Sequence, residues 1–374
     1  MAQGFSLKDQ LFNAEKVRHL ADLFGAASDD FDTGGFETQV MSRLPELELK
    51  ARISWIADCL RAQLRGPLPE IEPVLRAALP PPLDPTLTDD DFGDFIYAPL
   101  GELVVAAGLQ EHTDLSLDLL EDLTQRFSME WAIRPFLNDS PDLVLERMQD
   151  WAGHPSYHVR RLVSEGTRPR LPWGQAVGLD LRDPLPLLDR IHADPARFVT
   201  RSVANHLNDI TKKEPDLAMD RLQDWAREGR QAAPELRWMT AHALRGLVKS
   251  GHPRALLMLG YDPGAQVEVT LEIAPGNVVI NDALRFSCRL NAAVRTPVLV
   301  DYVLHFQRPN GKSSSKVFKL KQGVVPAGQD LVMDKRHPLK GNATTFTLVP
   351  GAHRLEIQVN GRLRAAQSFD LRGV

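Results

Sequence analysis

Cysteine is almost absent from this chain. Cys59 and Cys288 are the two present in 374 residues, which excludes a disulfide framework and a cysteine-based zinc site. No apolar run approaches the ~18 residues of a membrane-spanning helix. The opening MAQGFSLKDQLFN lacks the basic-then-apolar layout of a secretory signal. There is no glycine-rich phosphate loop, nucleophile elbow or kinase signature. His154 and His158 stand at i, i+4, but Pro155 lies between them and no acidic third ligand is near, so no metal site is expected. Together these absences lead to the expectation of a cytoplasmic monomer with no membrane contact and no bound metal.

An overall excess of positive charge is lacking too, since the net charge is −5. That average conceals a division. Residues 1–149 carry 12 Lys/Arg against 27 Asp/Glu, residues 150–255 carry 17 against 13, and residues 256–374 carry 15 against 9. Gripping phosphates requires local positive potential and not a basic total, so the last two segments remain compatible with a nucleic-acid partner. Hydrophobic content of 43% and charged content of 25% are ordinary for a globular protein, and the length calls for at least two domains.

What is present is patterned in two ways. Up to about residue 256 apolar residues recur at three- and four-residue spacings, as in Phe12–Gly25 and Glu48–Leu64. The stretch from Gly66 to Asp94 is rich in Pro and Asp and predicts a loop flanking one short helix, its acids Asp89 to Asp91 forming a solvated surface. Three helices then align through Arg161–Glu165, Arg201–Asn205 and Trp238–His242, at offsets of 40 and 37 residues, the spacing of a HEAT-like solenoid. Beyond Gly260 the period becomes that of strands. About seven are expected: 266–275, 283–292, 298–307, 316–324, 344–351, 353–361 and 364–371, with hairpin turns at Asn310-Gly311 and Asn360-Gly361. The fold expected is therefore multi-domain α plus β. An all-α HEAT-like solenoid over 1–258 precedes an all-β immunoglobulin-like sandwich over 265–374, with a linker at Gly260–Gly264.

The densest chemistry lies in HVRRLVSEGTRPRLPW, His158–Trp173, where Arg160, Arg161, Arg168 and Arg170 surround Glu165 and Trp173 closes the run. Carboxylates among arginines beside an aromatic face suit a polyanion that carries a cationic lesion. Glu130 stands beside Trp131 with Arg134 one turn on, and Asn205, Asn208 and Asp209 follow on the next repeat. Both Glu130–Arg134 and Arg161–Glu165 are also ordinary i, i+4 pairs. For Trp131, Trp238, Trp151 and Trp225, core packing is the favoured reading. The alternation of Lys316, Lys319 and Lys321 is read as one basic strand side, with Lys335-Arg336 in a loop.

FSLKDQLFN, SMEWAIRPFL, HVRRLVSEGTRPRLPW and RSVANHLNDITK, in that order, resemble the AlkC-type DNA alkylation repair glycosylases, relatives of the AlkD group. The resemblance runs from near residue 5 to about 256, and some members carry an immunoglobulin-like C-terminal domain. It implies hydrolysis of the N-glycosidic bond of cationic N3-alkylated bases such as 3-methyladenine and 3-methylcytosine. The partner would be alkylated double-stranded DNA, attacked without base flipping and without a cofactor. The matching site positions are Glu130, Glu165 and Trp173, with Asp209 a weaker carry-over. This chain has Trp131 where Phe looks usual. Arg134, Arg160, Arg161, Arg168, Arg170, Arg201, Asn205, Asn208, Lys212 and Lys213, together with Lys316 and Lys319 on the sandwich, are the expected DNA contacts. The alternative is a HEAT-repeat scaffold that binds DNA or protein and cleaves nothing.

Overall fold

A computed structural model describes residues 6–89, 92–172, 174–274, 278–308, 311–341 and 347–373. The chain divides into two compact units, Met1–Ala243 and Leu244–Val374.

The first unit is helical throughout. Helices Ala14–Ala27, Thr33–Met41, Leu49–Gln63, Leu68–Ala77, Ala98–Gly108 and Thr113–Thr124 precede the repeats, and Leu68–Ala77 is the short helix expected inside the proline-rich stretch. Three helix pairs follow: Pro141–Trp151 with Tyr157–Gly166, Leu185–Ile191 with Arg197–Ile210, and Pro215–Glu228 with Ala233–Ala243. The second helices of successive pairs pack on each other, as the 40- and 37-residue offsets require. Trp151 and Trp225 are buried between repeats, as expected, and their indole N–H groups donate to Glu121 Oε2 at 2.5 Å and Asp189 Oδ1 at 2.9 Å.

Helix Arg197–Ile210 is the centre of this array. Phe198, Val199, Val203, Leu207 and Ile210 recur at helical spacing and are buried, but so are Ser202, His206, Asn208 and Asp209. Buried polar groups need partners. His206 Nδ1 lies 3.1 Å from the Ser164 carbonyl, and burial pushes its imidazolium pKa down to about 4. An unfolded histidine binds its proton near pH 6.5. Between pH 6.5 and 4 the unfolded chain therefore takes up a proton that the folded chain refuses. The helical unit should lose about 3 kcal/mol across that window. Urea melts at pH 7.5 and 4.5 check this, and His206→Leu should flatten the difference.

In the second unit, strands β1 (Glu268–Ile273), β2 (Val278–Val279), β3 (Ala283–Asn291), β4 (Thr296–Gln307), β5 (Ser313–Val325), β6 (Leu331–Pro338), β7 (Gly351–Val359) and β8 (Arg362–Arg372) form two sheets. Their orders are β1-β3-β6 and β2-β8-β7-β4-β5. Leu284, Phe286, Cys288 and Leu290 from one sheet meet Val298, Val300, Tyr302, Leu355 and Ile357 from the other to make the core. The hairpin turn at Asn360-Gly361 forms with positive φ at both residues, while Asn310 lies outside the described residues.

Four expectations about this unit change. The expected strand over 344–351 is not found: 347–350 are irregular and 344–346 lie outside the described residues. β6 takes its place, so Lys335-Arg336 sits in a strand and not in a loop. Lys316 and Lys319 do not share a side. Lys316 pairs in register with Leu304 and Lys319 with Asp301, three residues apart on a lattice of period two, and a bulge follows between Val300 and Asp301.

The fourth change is the boundary expected at 258–265. Helices Arg245–Lys249 and Pro253–Met258 belong with the strands because they pack against the β7–β8 turn. There a Cβ added to Gly361 would sit 2.7 Å from Gly251 Cα, so the two backbones meet where only glycine fits. The Asn360 side chain donates to the Asp262 carbonyl at 2.9 Å and accepts from Leu299 N at 2.8 Å, tying the same junction.

Candidate active site

Three carboxylates, Glu165 and Asp209 buried and Glu130 partly buried, alternate with two arginines across neighbouring repeats of the helical unit. Glu130 lies on the turn that precedes helix Ile133–Asp139, not inside the helix. Its Oε2 accepts from Ser128 Oγ at 2.7 Å and from Arg161 Nη1 at 2.9 Å. Arg161, on helix Tyr157–Gly166, also reaches Glu165 Oε2 at 3.6 Å, the i, i+4 pair that spacing predicted. Glu165 Oε2 accepts from Ser202 Oγ at 2.5 Å and its Oε1 from Arg168 Nη1 at 2.6 Å. Arg168 turns its other edge to Asp209 Oδ2, at 3.0 Å from Nε and 2.9 Å from Nη2, and Lys212 Nζ reaches Asp209 Oδ1 at 2.7 Å. Of the four carboxylate oxygens of Glu130 and Glu165, Oε1 of Glu130 alone accepts no hydrogen bond from the described residues.

Burial alone would push the Glu165 carboxyl up, but Arg161, Arg168 and the Ser202 hydroxyl outweigh it and hold the group below the ordinary carboxylate range. Burial likewise works against the Arg168 cation, and Glu165 and Asp209 overcome it, so its pKa rises. Glu165 and Arg168 thus each favour the charged form of the other.

Aromatic rings frame it. A cleft of about 300 Å3 is bounded by Phe92, Phe95, Trp131 and Phe198 around Glu130 and Glu165. The Arg161 guanidinium lies 4.3 Å from the centre of the Phe198 ring and 5.4 Å from that of Phe92. Phe92, 43% exposed, stands at the rim. The Pro/Asp-rich stretch, read from sequence only as a loop, delivers Phe92 and Phe95. Phe198 was read only as part of a repeat helix. Ser128, Ser202 and these three phenylalanines were missed. The signal available for the loop was two phenylalanines in DDDFGDF, where a purely solvated segment would carry none.

Several expected DNA contacts lie elsewhere. Arg134 is fully buried, not at a phosphate-facing surface. It donates to the carbonyls of Gly166 at 2.8 Å, Arg168 at 3.0 Å and Gln175 at 2.5 Å, so it clamps the loop that carries Arg168. Burial, with the nearby Arg168 cation, lowers its pKa to about 10, which leaves it charged at neutral pH. Asn208 is buried and donates to the Ala243 carbonyl at 2.9 Å, tying two repeats. Arg160 is committed to Asp194 at 2.5 Å and to the His154 carbonyl at 2.8 Å, and Arg161 to the carboxylates.

Asn205 Oδ1 lies 2.9 Å from His242 Nε2, and Arg201 pairs with Asp89 while lining the cleft; Asp90 and Asp91 lie outside the described residues. Arg170, Lys212 and Lys213 are exposed, as a phosphate contact requires. Trp173 lies outside the described residues. Trp131 is half-buried in the cleft wall, and Trp238 is half-buried with Arg197 stacked on its ring at 4.0 Å and His242 at 4.9 Å, so neither is the core tryptophan expected.

Gly166 ends its helix without a positive φ. It is there because a Cβ would come within 2.7 Å of Ile133, and Thr167 Oγ1 closes the helix on the Val163 carbonyl. Among the described residues no group of three His, Cys, Asp or Glu could hold a metal, and no helix is long and apolar enough to cross a membrane.

The fold and the cleft together define a HEAT-like repeat protein with an arginine-braced carboxylate site and an appended immunoglobulin-like domain. Known proteins match both parts. The family described as the C-terminal Ig-like domain of the uncharacterised protein YhaZ matches residues 268–373. YhaZ of Bacillus subtilis (strain 168) is 29% identical over 367 residues, covering 97% of this chain and 98% of that protein. The alkylpurine DNA glycosylase AlkC of Pseudomonas fluorescens, solved bound to DNA containing an abasic site analogue, is 30% identical with a TM-score of 0.84. That match covers 98% of this chain and all of the other. The chain belongs to the AlkC family.

Proposed function

We propose that this protein is a monofunctional DNA glycosylase that hydrolyses the N-glycosidic bond of N3-alkylated, positively charged bases in duplex DNA. The observation that carries the reading is the pair Glu130 and Glu165, ion-paired in an aromatic cleft with arginines that belong to the protein. A scaffold that only binds DNA gains nothing from carboxylates set against phosphates.

An alkylated base already carries the charge that makes it a good leaving group. As the bond from C1′ to the base nitrogen breaks, its electron pair stays with the base and the sugar becomes an oxocarbenium-like cation. Glu165, with both oxygens engaged, supplies fixed negative potential to that cation, the arrangement in which electrostatic catalysis is strongest. Glu130 Oε1 is the oxygen available to orient water, whose oxygen bonds to C1′ while the carboxylate takes its proton. Asp209 holds Arg168 in place and acts through it. The cleft phenylalanines offer faces to the cationic base, the role that the family resemblance also gives Trp173, which lies outside the described residues. The sugar is attacked without the base being swung into a deep pocket, unlike most base-acting enzymes, a reading that the exposed Phe92 at the rim supports. Arg170, Lys212, Lys213 and Arg201 bind phosphates and fix register.

Release of 3-methyladenine and 3-methylcytosine from alkylated duplex is the test. Wild-type levels of release by both Glu130→Gln and Glu165→Gln would refute the chemistry. The sandwich contributes a second grip. Since Lys316 and Lys319 face opposite ways, one duplex engages one of them, and the double change to Gln should reduce the salt slope of binding by about one and not two.

Arg134→Met should uncouple the 166–175 loop. Expected is a loss of base release of about tenfold or more, from the ångström-scale misplacement of Arg168, with a loss of stability of about 3 kcal/mol for three abandoned carbonyls. Single-turnover release and thermal melting read the two effects.

A further inference from the structure

The segment 84–94 carries five aspartates and no lysine or arginine. Two of these acids serve the segment and its flank. Asp84 Oδ1 accepts from Thr86 N at 2.8 Å and Thr86 Oγ1 at 2.7 Å, while Asp94 accepts from Ile96 N at 3.2 Å and pairs with Lys16. Asp89 reaches much further, across 112 residues of chain, to pair with Arg201. Arg201 lines the carboxylate cleft along with Glu130 and Glu165. The neighbouring residue fastens this contact, because the Thr88 carbonyl accepts from Phe198 N at 2.9 Å, one turn before Arg201 on helix Arg197–Ile210. Three residues after Asp89, the Phe92 ring meets Phe198 edge-on with centres 5.0 Å apart. An acidic side chain is thus held on a cationic one at the cleft. The two side chains are 29% and 35% exposed, so solvent and a ligand can both reach the pair.

We propose that Asp89 stands in for a backbone phosphate on Arg201, so that a duplex must displace it to engage that arginine, an inference that rests on the glycosylase reading. A carboxylate and a phosphate offer a guanidinium the same thing, two oxygens that share a negative charge and fit its planar fork. An exposed ion pair of this kind is weak and readily exchanged, whereas each phosphate neutralised on DNA also releases counterions. The contact does two things in the free chain. It holds Arg201 in one place at the cleft, and it lowers the affinity for every duplex by a common factor. A cationic base adds the attraction of Glu130 and Glu165, which an undamaged duplex lacks. With the phosphate grip reduced for all duplexes alike, the cation present only at a lesion decides which duplex is retained.

Fluorescence anisotropy of an undamaged duplex with the full chain at low salt tests this, alongside base release from alkylated duplex. Asp89→Asn keeps the shape of the side chain and should tighten binding by about fivefold, the upper end for an exposed pair, with the gain shrinking as salt rises. Asp89→Ser removes the charge by a second route and should show the same gain, while Asp89→Glu should bind as the unsubstituted chain does. Arg201→Gln should weaken binding, and Asp89→Asn added to it should change the affinity by less than about twofold, because the contested cation is gone. A gain below about twofold in both Asp89→Asn and Asp89→Ser would overturn the proposal. So would a full gain in the Arg201→Gln background, which would mark a general repulsion between the acid and DNA. A chain that shows these binding effects but releases no base overturns the glycosylase reading and leaves the competition for Arg201 standing. Base release by a chain whose binding ignores Asp89 does the reverse, and failure of the unsubstituted chain to bind duplex overturns both.

Discussion

Glu130→Gln is expected to slow base release by about 10²–10³-fold while leaving thermal stability within about 0.5 kcal/mol. The carboxylate is bound to the protein through one oxygen, and an amide can keep both bonds there by presenting its carbonyl to Ser128 and Arg161. What the amide cannot do is take a proton from water or carry negative charge toward the sugar cation. Glu165→Gln makes an informative contrast. Both Glu165 oxygens accept charge-assisted or short hydrogen bonds, and an amide nitrogen in either place faces a donor. That variant should lose activity and stability together. Single-turnover release set beside chemical denaturation separates the two, and a stability loss in Glu130→Gln equal to that in Glu165→Gln would sink the division of labour.

Arg168→Met is expected to destabilise the helical unit by about 3–5 kcal/mol, because it leaves Glu165 and Asp209 buried without their shared counter-ion. The Coulomb field of Arg168 is one of the forces holding the Glu165 pKa down, so its removal lets burial raise that pKa. The consequence has a definite sign. A carboxylate whose folded pKa is depressed stabilises the fold above its unfolded pKa, near 4.3, and loses that contribution as pH falls through the folded value. In the variant the folded pKa moves upward, so the acid side of the stability profile should shift toward neutral pH. Arg168→Lys should recover part of the charge but not the two-edged bridge to both acids. An acid limb unmoved in Arg168→Met would show that Arg161 and Ser202 alone keep Glu165 ionised.

These expectations depend on features of unequal visibility in the sequence. The change of period after Gly260 and the 40- and 37-residue offsets were enough for the two architectures, because a solenoid repeats its packing residues and a sandwich alternates them. The stretch HVRRLVSEGTRPRLPW was legible as the densest charge cluster, and Arg161–Glu165 as a helical pair. Direction was not legible. Arg134 and Arg170 are the same residue type in the same neighbourhood, yet one is buried among carbonyls and the other is exposed. Helical period shows which residues share a face but not which face turns inward. β6 was missed because its run DKRH reads as a polar loop, although a strand at the edge of a sheet tolerates charges on its solvent side.

By itself, then, the sequence determined the class of each half of the chain, which follows from local spacing that the polymer geometry of helix and strand translates directly into structure. Glu130, Glu165 and Asp209 became candidates through the motifs' resemblance to the AlkC-type glycosylases, since spacing alone made the glutamates ordinary helical pairs. Tertiary structure alone decided the roles. Arg161 came to bridge Glu130 and Glu165, Arg168 to bridge Glu165 and Asp209, Phe92 and Phe198 to frame the cleft, and Arg201 to meet Asp89 across 112 residues of chain. The physical reason is that a buried charge is tolerated only opposite a partner, and the partner is chosen by which repeats stack, a long-range outcome that no local pattern encodes.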